Sequence, residues 1–413
     1  MSDTLTTGGA ARPEGDPHVL AEDPAVTSFP ADVTTSPEAE ADAAARVGAY
    51  AQQLVGMLGG AAELLTIEIG RRFGLYRALH EHGPMTADRL AASAGIAPRY
   101  AREWLEQQAA AGHVAVEVSG DSGLDRRFSL PPLHVPVLVG ETHPAHVAPV
   151  ASLAAGVALA FHEVVADFGQ GNGVAYDEYG AELRRGLGDL HRPRFTHEMR
   201  GWVDALPDRA AALDAGGAVL DAGCGTGWST ISLANAFPNA HVVGLDLDEA
   251  SIEEARENAL AAGVADRVAF VLGDAADAGA VQRAAASARG AGERADGASG
   301  FDLVTIFEAL HDMGRPVDAL AGIRALLRPG GALLVADGRV ADEFHANAEP
   351  VERMLYALSV LHCVPATTAE SDAVANGTVL RAPTLRRWAA EAGFGPVDVL
   401  DIENPFWRFY RIG

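Results

Sequence analysis

The stretch Asp221-Ala222-Gly223-Cys224-Gly225-Thr226-Gly227 offers the clearest chemistry in the chain. It follows an apolar run, Ala218–Asp221, that reads as a strand, and it precedes 227–236, which reads as a helix. A strand, a glycine-rich turn and a helix form the unit by which doubly wound folds cradle a nucleotide, because glycine lets the backbone turn sharply and approach the ligand. A dinucleotide loop would need Gly or Ala at position 228, which here is Trp228, and the third glycine falls at 227 instead. The spacing disfavours a pyrophosphate ligand and, with it, a dehydrogenase.

Two acidic strand ends extend the pattern. A second strand, His241–Asp246, ends in Asp246, 19 residues after Gly227, where a carboxylate can accept both hydroxyls of a ribose. A third, Arg267–Leu272, runs into Gly273-Asp274-Ala275, where Asp274 could receive the amino group of an adenine. Each Asp alone could be structural. Together with the glycine loop they describe one adenosine-sized crevice. A fourth strand, Phe301–Phe307, leads into Glu308-Ala309-Leu310-His311-Asp312 and sets His311 just beyond a strand end, on the ligand face. An imidazole with a pKa of about 6.5 can take a proton near neutral pH. The alternative is a packing or helix-start histidine.

The elements that must position these residues follow from the alternation of runs. Further strands read at Gly331–Asp337, Val397–Ile402 and Trp407–Ile412, with helices at 227–236, 249–262, 316–327 and 383–392. This alternation predicts an α/β domain over 211–413, a doubly wound, Rossmann-like sheet of seven strands covered by helices. Residues 279–300 read as a short helix and a mobile loop. Residues 46–82 carry apolar positions at helical spacing, from Leu54 to Leu75, before Gly83-Pro84. A second helix would start at Thr86 and end at Gly95, and a third would follow Pro98. A two-stranded hairpin around 113–130, turning at Gly120–Asp125, completes a mostly helical, winged-helix-like domain over 46–135. Residues 136–210 read as a helical linker or lid, interrupted at Gly169–Gly173. Residues 1–45, with nine acidic residues, one Arg and five Pro, read as a disordered acidic tail.

At the residues quoted above the chain resembles the class I S-adenosylmethionine (SAM)-dependent methyltransferases, over roughly 218–340. The resemblance implies that Asp221 and the backbone of Gly223, Gly225 and Gly227 hold the methionine moiety. It places the ribose on Asp246, Leu247 against the adenine face, Asp274 and Ala275 at its edge, Phe307 beside the cofactor, and an antiparallel final strand at 407–412. The Leu310-His311-Asp312 stretch is similar to that of small-molecule O-methyltransferases carrying a winged-helix-like dimerisation domain. There the histidine is the general base, held by an acid after the next strand, here Asp337. Met313 stands where a Trp usually follows, and the second orienting acid of that family has no clear match. Beyond residue 55 the chain also resembles bacterial winged-helix methyltransferases, through Glu308–Met313, Leu361-His362-Cys363, Gly377–Leu385 and Phe406–Tyr410.

The connection 338–382 is too long to be a simple link, and such connections build lids or acceptor pockets. It offers Tyr356 and His362 to an acceptor, with His362 near the chemistry, while Tyr176 and Tyr179 could close over the SAM side. Each of these could instead be ordinary packing. The expected activity is methyl transfer to a small molecule, with O-methylation ahead of N- or C-methylation. A SAM-binding protein of other activity is a further alternative.

Bulk properties agree. With 56 acidic against 31 basic residues the net charge is −25, which repels nucleic acid and anionic membrane surfaces. The third helix of the winged domain pairs Arg99 and Arg102 with Glu103 and Glu106, so no basic reading surface is expected. Two cysteines, Cys224 and Cys363, show neither disulfide nor metal-ligand spacing, so no metal is expected. The start of the chain does not read as a signal peptide. A cytoplasmic homodimer, without nucleic-acid or membrane partners, is the resulting expectation.

Overall fold

The computed structural model describes residues 36–117, 126–290, 300–370 and 372–413. The hairpin turn expected at Gly120–Asp125, the loop expected at the end of 279–300 and most of the expected acidic tail lie largely outside the described residues. The chain divides into two compact units, Met1–Gly59 and Gly60–Gly413. The described part of the first is helical and exposed along its length, Val47, Tyr50, Leu54 and Leu58 included.

The helices and strands run, in order, α1 (Pro37–Arg72), α2 (Leu75–His82), α3 (Ala87–Ala94), α4 (Pro98–Ala110), β1 (Ala115–Glu117), β2 (Arg127–Ser129), α5 (Val135–Leu138), α6 (Val150–Asp167), α7 (Gly180–Asp204) and α8 (Pro207–Asp214). The C-terminal half continues with β3 (Ala218–Ala222), α9 (Trp228–Ala236), β4 (His241–Asp246), α10 (Glu249–Ala261), β5 (Val268–Leu272), α11 (Ala278–Gly290), β6 (Phe301–Phe307), α12 (Pro316–Leu326) and β7 (Leu327–Gly338). It closes with α13 (Pro350–Leu358), α14 (Val364–Thr368), α15 (Ala382–Glu391), β8 (Val397–Val399) and β9 (Trp407–Ile412).

Two expectations near the N-terminus change. Residues 37–45, expected in a disordered tail, are the first turns of α1. The single helix expected over 46–82 is broken at Gly74, whose φ of 63° only glycine adopts cheaply, so α2 starts anew. The rest of this domain follows local rules. The Thr86 hydroxyl accepts the Arg89 N–H to cap α3, Gly95 closes it in the left-handed conformation (φ 67°), and Pro98 opens α4. Leu75, Leu79, Leu90, Leu105, Val114 and Phe128 bury their side chains together in one small core.

The large sheet has strand order β5-β4-β3-β6-β7-β9-β8. β5, β4, β3, β6 and β7 are parallel. β9 is antiparallel to both β7 and β8. All seven residues of β6 are buried, as a strand covered on both faces requires. The side-chain alternation splits the core in two. Leu220, Val243, Val304 and Leu333 face α12 and α15, through Leu320, Ile323 and Trp388. Val219, Val242, Leu303 and Leu334 face α7 and α9, through Phe195, Trp202 and Leu233. Strand order reverses between β4-β3 and β3-β6, so the loops after β3 and β6 diverge there and open a crevice at the strands' carboxyl ends.

Candidate active site

The crevice is lined on one side by the glycine loop. Gly223 and Gly227 have φ of 75° and 83°. A Cβ on Gly223 would lie 2.4 Å from the Ala309 Cβ, and one on Gly227 2.8 Å from that of Ala255, so both glycines are required by close packing. Gly225 (φ 51°) differs, because a Cβ there meets nothing within 4 Å. Its backbone faces the crevice, and the space beside it is where a ligand can approach the chain. The Gly225 N–H donates to Asp246 Oδ2 at 2.7 Å and the Asp248 N–H to Asp246 Oδ1 at 2.9 Å. Each oxygen retains a lone pair for a ligand hydroxyl. Burial pushes the Asp246 carboxyl up to about 6, against the pull of these N–H groups. Leu247 is exposed beside it. Asp274 is tied by Arg315, 2.6 Å from Oδ2, and by the Ala276 N–H, 2.7 Å from Oδ1. Gly223, Gly225, Asp246, Leu247, Asp274, Ala275 and Phe307 all line the same cavity.

Asp221 does not. It is 1% exposed, and its carboxylate accepts the hydroxyls of Ser229 (2.6 Å), Thr230 (2.7 Å) and Thr305 (2.9 Å). The expected contact of its side chain with a methionine moiety is therefore corrected. Asp221 pins β3 to α9 and β6 and so holds the loop in shape. Gly227 likewise packs behind the loop rather than lining the cavity.

The other side of the cavity carries His311, in a short 3-10 turn after β6. Its Nδ1 lies 2.9 and 3.1 Å from the two oxygens of Asp337, which is fully buried near the end of β7. This pairing fixes Nδ1 as a protonated nitrogen and leaves Nε2 toward the cavity. Around Nε2 stand Asp312 Oδ2 at 3.4 Å and Cys363 Sγ at 3.8 Å. Burial disfavours the imidazolium, but Asp312 and Asp337 outweigh it and raise the His311 pKa well above the usual value. Glu308 sits in the left-handed region (φ 51°), an uncommon place for a side chain this size. Burial and the neighbouring Asp337 push its carboxyl up to about 7.

The long connection supplies the opposite wall through a π-helical turn, Ser359–Cys363, between α13 and α14. Single π turns recur at functional sites. This one points both His362 and Cys363 at the cavity. Tyr176 also lines the cavity, with its ring 5.7 Å from that of His362. Of the residues expected to close over the SAM side or to meet the acceptor, two do not reach the cavity. Tyr179 is buried behind His362, ring edge to ring face at 4.7 Å, and its hydroxyl donates to the Leu361 carbonyl. Tyr356 is held by Arg381, 2.6 Å from its hydroxyl, in a separate cluster with Glu352. Both corrections have one reason: their polar ends already have partners elsewhere. Arg184 and His191 of α7, which no sequence motif marked, join the lining, as do Trp228, Glu308 and Thr378, which lie in quoted stretches but were given no role. Arg184 is paired with Glu254 at 2.8 Å. Burial pulls the His191 pKa down to about 3, so it is neutral.

A seven-stranded sheet of this order, with a glycine cradle and acidic residues at successive strand ends, defines a nucleoside-binding transferase of the methyltransferase type. The family described as "Methyltransferase domain" matches residues 213–381, and the "Rv2258c-like winged HTH domain" matches residues 61–139. The chain is 31% identical over 223 residues to the ubiquinone/menaquinone biosynthesis C-methyltransferase UbiE of Paracoccus denitrificans, covering 52% of this chain and 77% of that protein. It is 32% identical over 213 residues to the ubiquinone biosynthesis O-methyltransferase of Aromatoleum aromaticum, covering 51% and 76%. Its fold matches that of the mitomycin 7-O-methyltransferase MmcR with a TM-score of 0.60 at 21% identity, over 90% of this chain and 99% of that one. The chain belongs to the class I SAM-dependent methyltransferases, and SAM is its cofactor.

Proposed function

We propose that this methyltransferase acts on a hydroxyl group of a small-molecule acceptor, with His311 as general base. The observation that carries the reading is the His311–Asp337 pair, which orients the imidazole and leaves Nε2 facing the cavity. SAM supplies a methyl group already activated on a sulfonium, so the chain's task is alignment, exclusion of water and removal of the acceptor proton. Gly223, Gly225, Asp246, Leu247, Asp274, Ala275 and Phe307 would hold the cofactor, and His362 and Tyr176 would face the acceptor. The raised pKa of His311 in the free protein favours the imidazolium. A cation brought into the same cavity opposes that form and frees the base.

The acceptor is read as uncharged or cationic. Its wall carries Glu308 and Asp312, and the one arginine there among the described residues, Arg184, is already paired with Glu254. The relatives include both an O- and a C-methyltransferase. The deciding experiment is to isolate the protein, identify co-purified small molecules by mass spectrometry, and incubate them with methyl-labelled SAM. Label on carbon or nitrogen would overturn the O-methylation reading.

The protein is further read as a cytoplasmic homodimer that binds neither nucleic acid nor membrane. Support for pairing comes from α6. It is long and apolar enough to cross a bilayer by length and composition, but its inner face packs Leu153, Ala160 and Val164 against Leu183 of α7. Its outer face leaves Leu159, Phe161 and Val165 exposed, which suits a second copy. Light scattering that reports a monomer at micromolar concentration would remove this part. The winged domain's Arg99 and Arg126 are paired with Glu103 and Glu106, which speaks against a phosphate-binding face.

A further inference from the structure

We propose that His311, Asp312 and Cys363 form a binding site for one zinc ion, facing the acceptor side of the cavity. The three offer different donors, an imidazole nitrogen, a carboxylate oxygen and a sulfur, all within 4.8 Å of one another. Zinc bonds of about 2.0–2.3 Å in tetrahedral geometry hold neighbouring donor atoms about 3.3–3.6 Å apart. The His311 Nε2 lies 3.4 Å from Asp312 Oδ2 and 3.8 Å from Cys363 Sγ, within a few tenths of an ångström of zinc-bonded spacing, and the Asp312 and Cys363 donors lie within 4.8 Å of each other.

The surroundings are those a metal ligand set needs. His311 donates its other ring N–H to Asp337, the carboxylate–histidine–metal relay that fixes ligand tautomer and basicity. The Thr378 hydroxyl donates to Cys363 Sγ at 2.7 Å, as it would to a thiolate, and His362 Nδ1 lies 3.4 Å from the same sulfur. Two buried atoms at the same place have no hydrogen-bond partner among the described residues, Asp312 Oδ1 and His362 Nε2, the latter in a side chain that is 5% exposed and lines the cavity. Three protein ligands leave a fourth position open toward the cavity, which is also the entry path. A thiolate and an imidazole select zinc over the hard ions magnesium and calcium. Binding releases two protons to solvent, one from the Cys363 thiol and one from the imidazolium form of His311, as the sulfur and Nε2 each bond the metal.

Zinc would take the Nε2 lone pair that the base needs, so the metal-bound form is inactive. This consequence rests on the O-methylation reading; the site itself does not. The test therefore reads ligation, with cobalt(II) alone as the spectroscopic probe on the full chain. We expect binding at one ion per chain, a near-ultraviolet thiolate-to-cobalt band, and displacement of that band by zinc. Cys363→Ser and Cys363→Ala should both lose the band, with folding checked by circular dichroism, while Cys224→Ser keeps it. Asp337→Asn should lower the affinity ~10–100-fold, as for other partners of metal-bound histidines. Absence of a thiolate band, or its survival in both Cys363 variants, would overturn the site. Metal binding as expected, together with unchanged turnover in His311→Ala, would overturn only the base assignment.

Discussion

The Nδ1 of His311 and the Oδ1 of Asp337 lie 2.9 Å apart, although 26 residues separate them in the chain. The contact exists because β6 and β7 are parallel neighbours in register, with Phe307 opposite Ala336. The turn after one strand then meets the end of the next. If this pair makes a base, His311→Ala should lower turnover by ~10²–10⁴-fold while leaving SAM affinity by calorimetry within a few-fold of wild type. A matching loss of SAM binding would make His311 a structural residue.

Asp246 should impose a pH limit on cofactor binding. Burial raises its pKa from 3.8 to about 6. The ribose hydroxyls would donate to the carboxylate form, so affinity should be level above pH 6 and fall as pH drops below it. The effect on stability has the opposite sign. The folded chain holds a proton that the unfolded chain has already released between about pH 4 and 6, so this group's contribution favours the apo fold as pH falls through that window. Calorimetric titrations at several pH values would check the first part. Asp246→Ala should weaken SAM binding ~10–100-fold, the worth of hydrogen bonds to a charged acceptor.

Gly225 and Gly223 should fail differently when changed to alanine. At Gly223 the new methyl meets Ala309 at 2.4 Å, so the fold must shift and Tm should fall. At Gly225 nothing in the protein obstructs it, and only the left-handed backbone costs about 1–2 kcal/mol. Gly225→Ala should therefore lose SAM affinity out of proportion to its loss in Tm. Equal losses in both variants would mean that Gly225 does not face the cofactor.

Asp221→Ala should be a stability variant. The Ser229 and Thr230 hydroxyls lose their acceptor at once, while Thr305 keeps only the Leu220 carbonyl at 3.4 Å, and each buried polar group left unsatisfied costs about 1–3 kcal/mol. A lower denaturation midpoint is expected, with SAM affinity of the folded fraction changed far less than in Asp246→Ala. The reverse order would restore a direct role for Asp221 in holding the methionine moiety.

Much of the fold was legible locally. The observed β4 (His241–Asp246), β6 (Phe301–Phe307) and β9 (Trp407–Ile412) have the bounds expected from their runs of apolar and β-branched residues; β6, buried along its whole length, must be largely apolar, whereas β9 alternates buried apolar residues with Arg408 and the exposed Arg411. Thr86, Gly95 and Pro98 marked helix ends through backbone chemistry that depends on a single residue. The break at Gly74 was missed because an isolated glycine in an apolar helical pattern also fits a continuous helix.

What the amino-acid order determined by itself was the alternation of strands and helices, the cradle at 221–227 and the acids at strand ends, since each depends on neighbours a few residues away. Which way a side chain points, and which distant one it meets, was decided only by tertiary packing. Asp221 turned inward to three hydroxyls, Tyr356 was drawn off to Arg381, and Cys363 came to lie beside His311, 52 residues earlier. The physical reason is that a long connection carries no periodicity relating its residues to the sheet. Its π turn is placed by what packs around it.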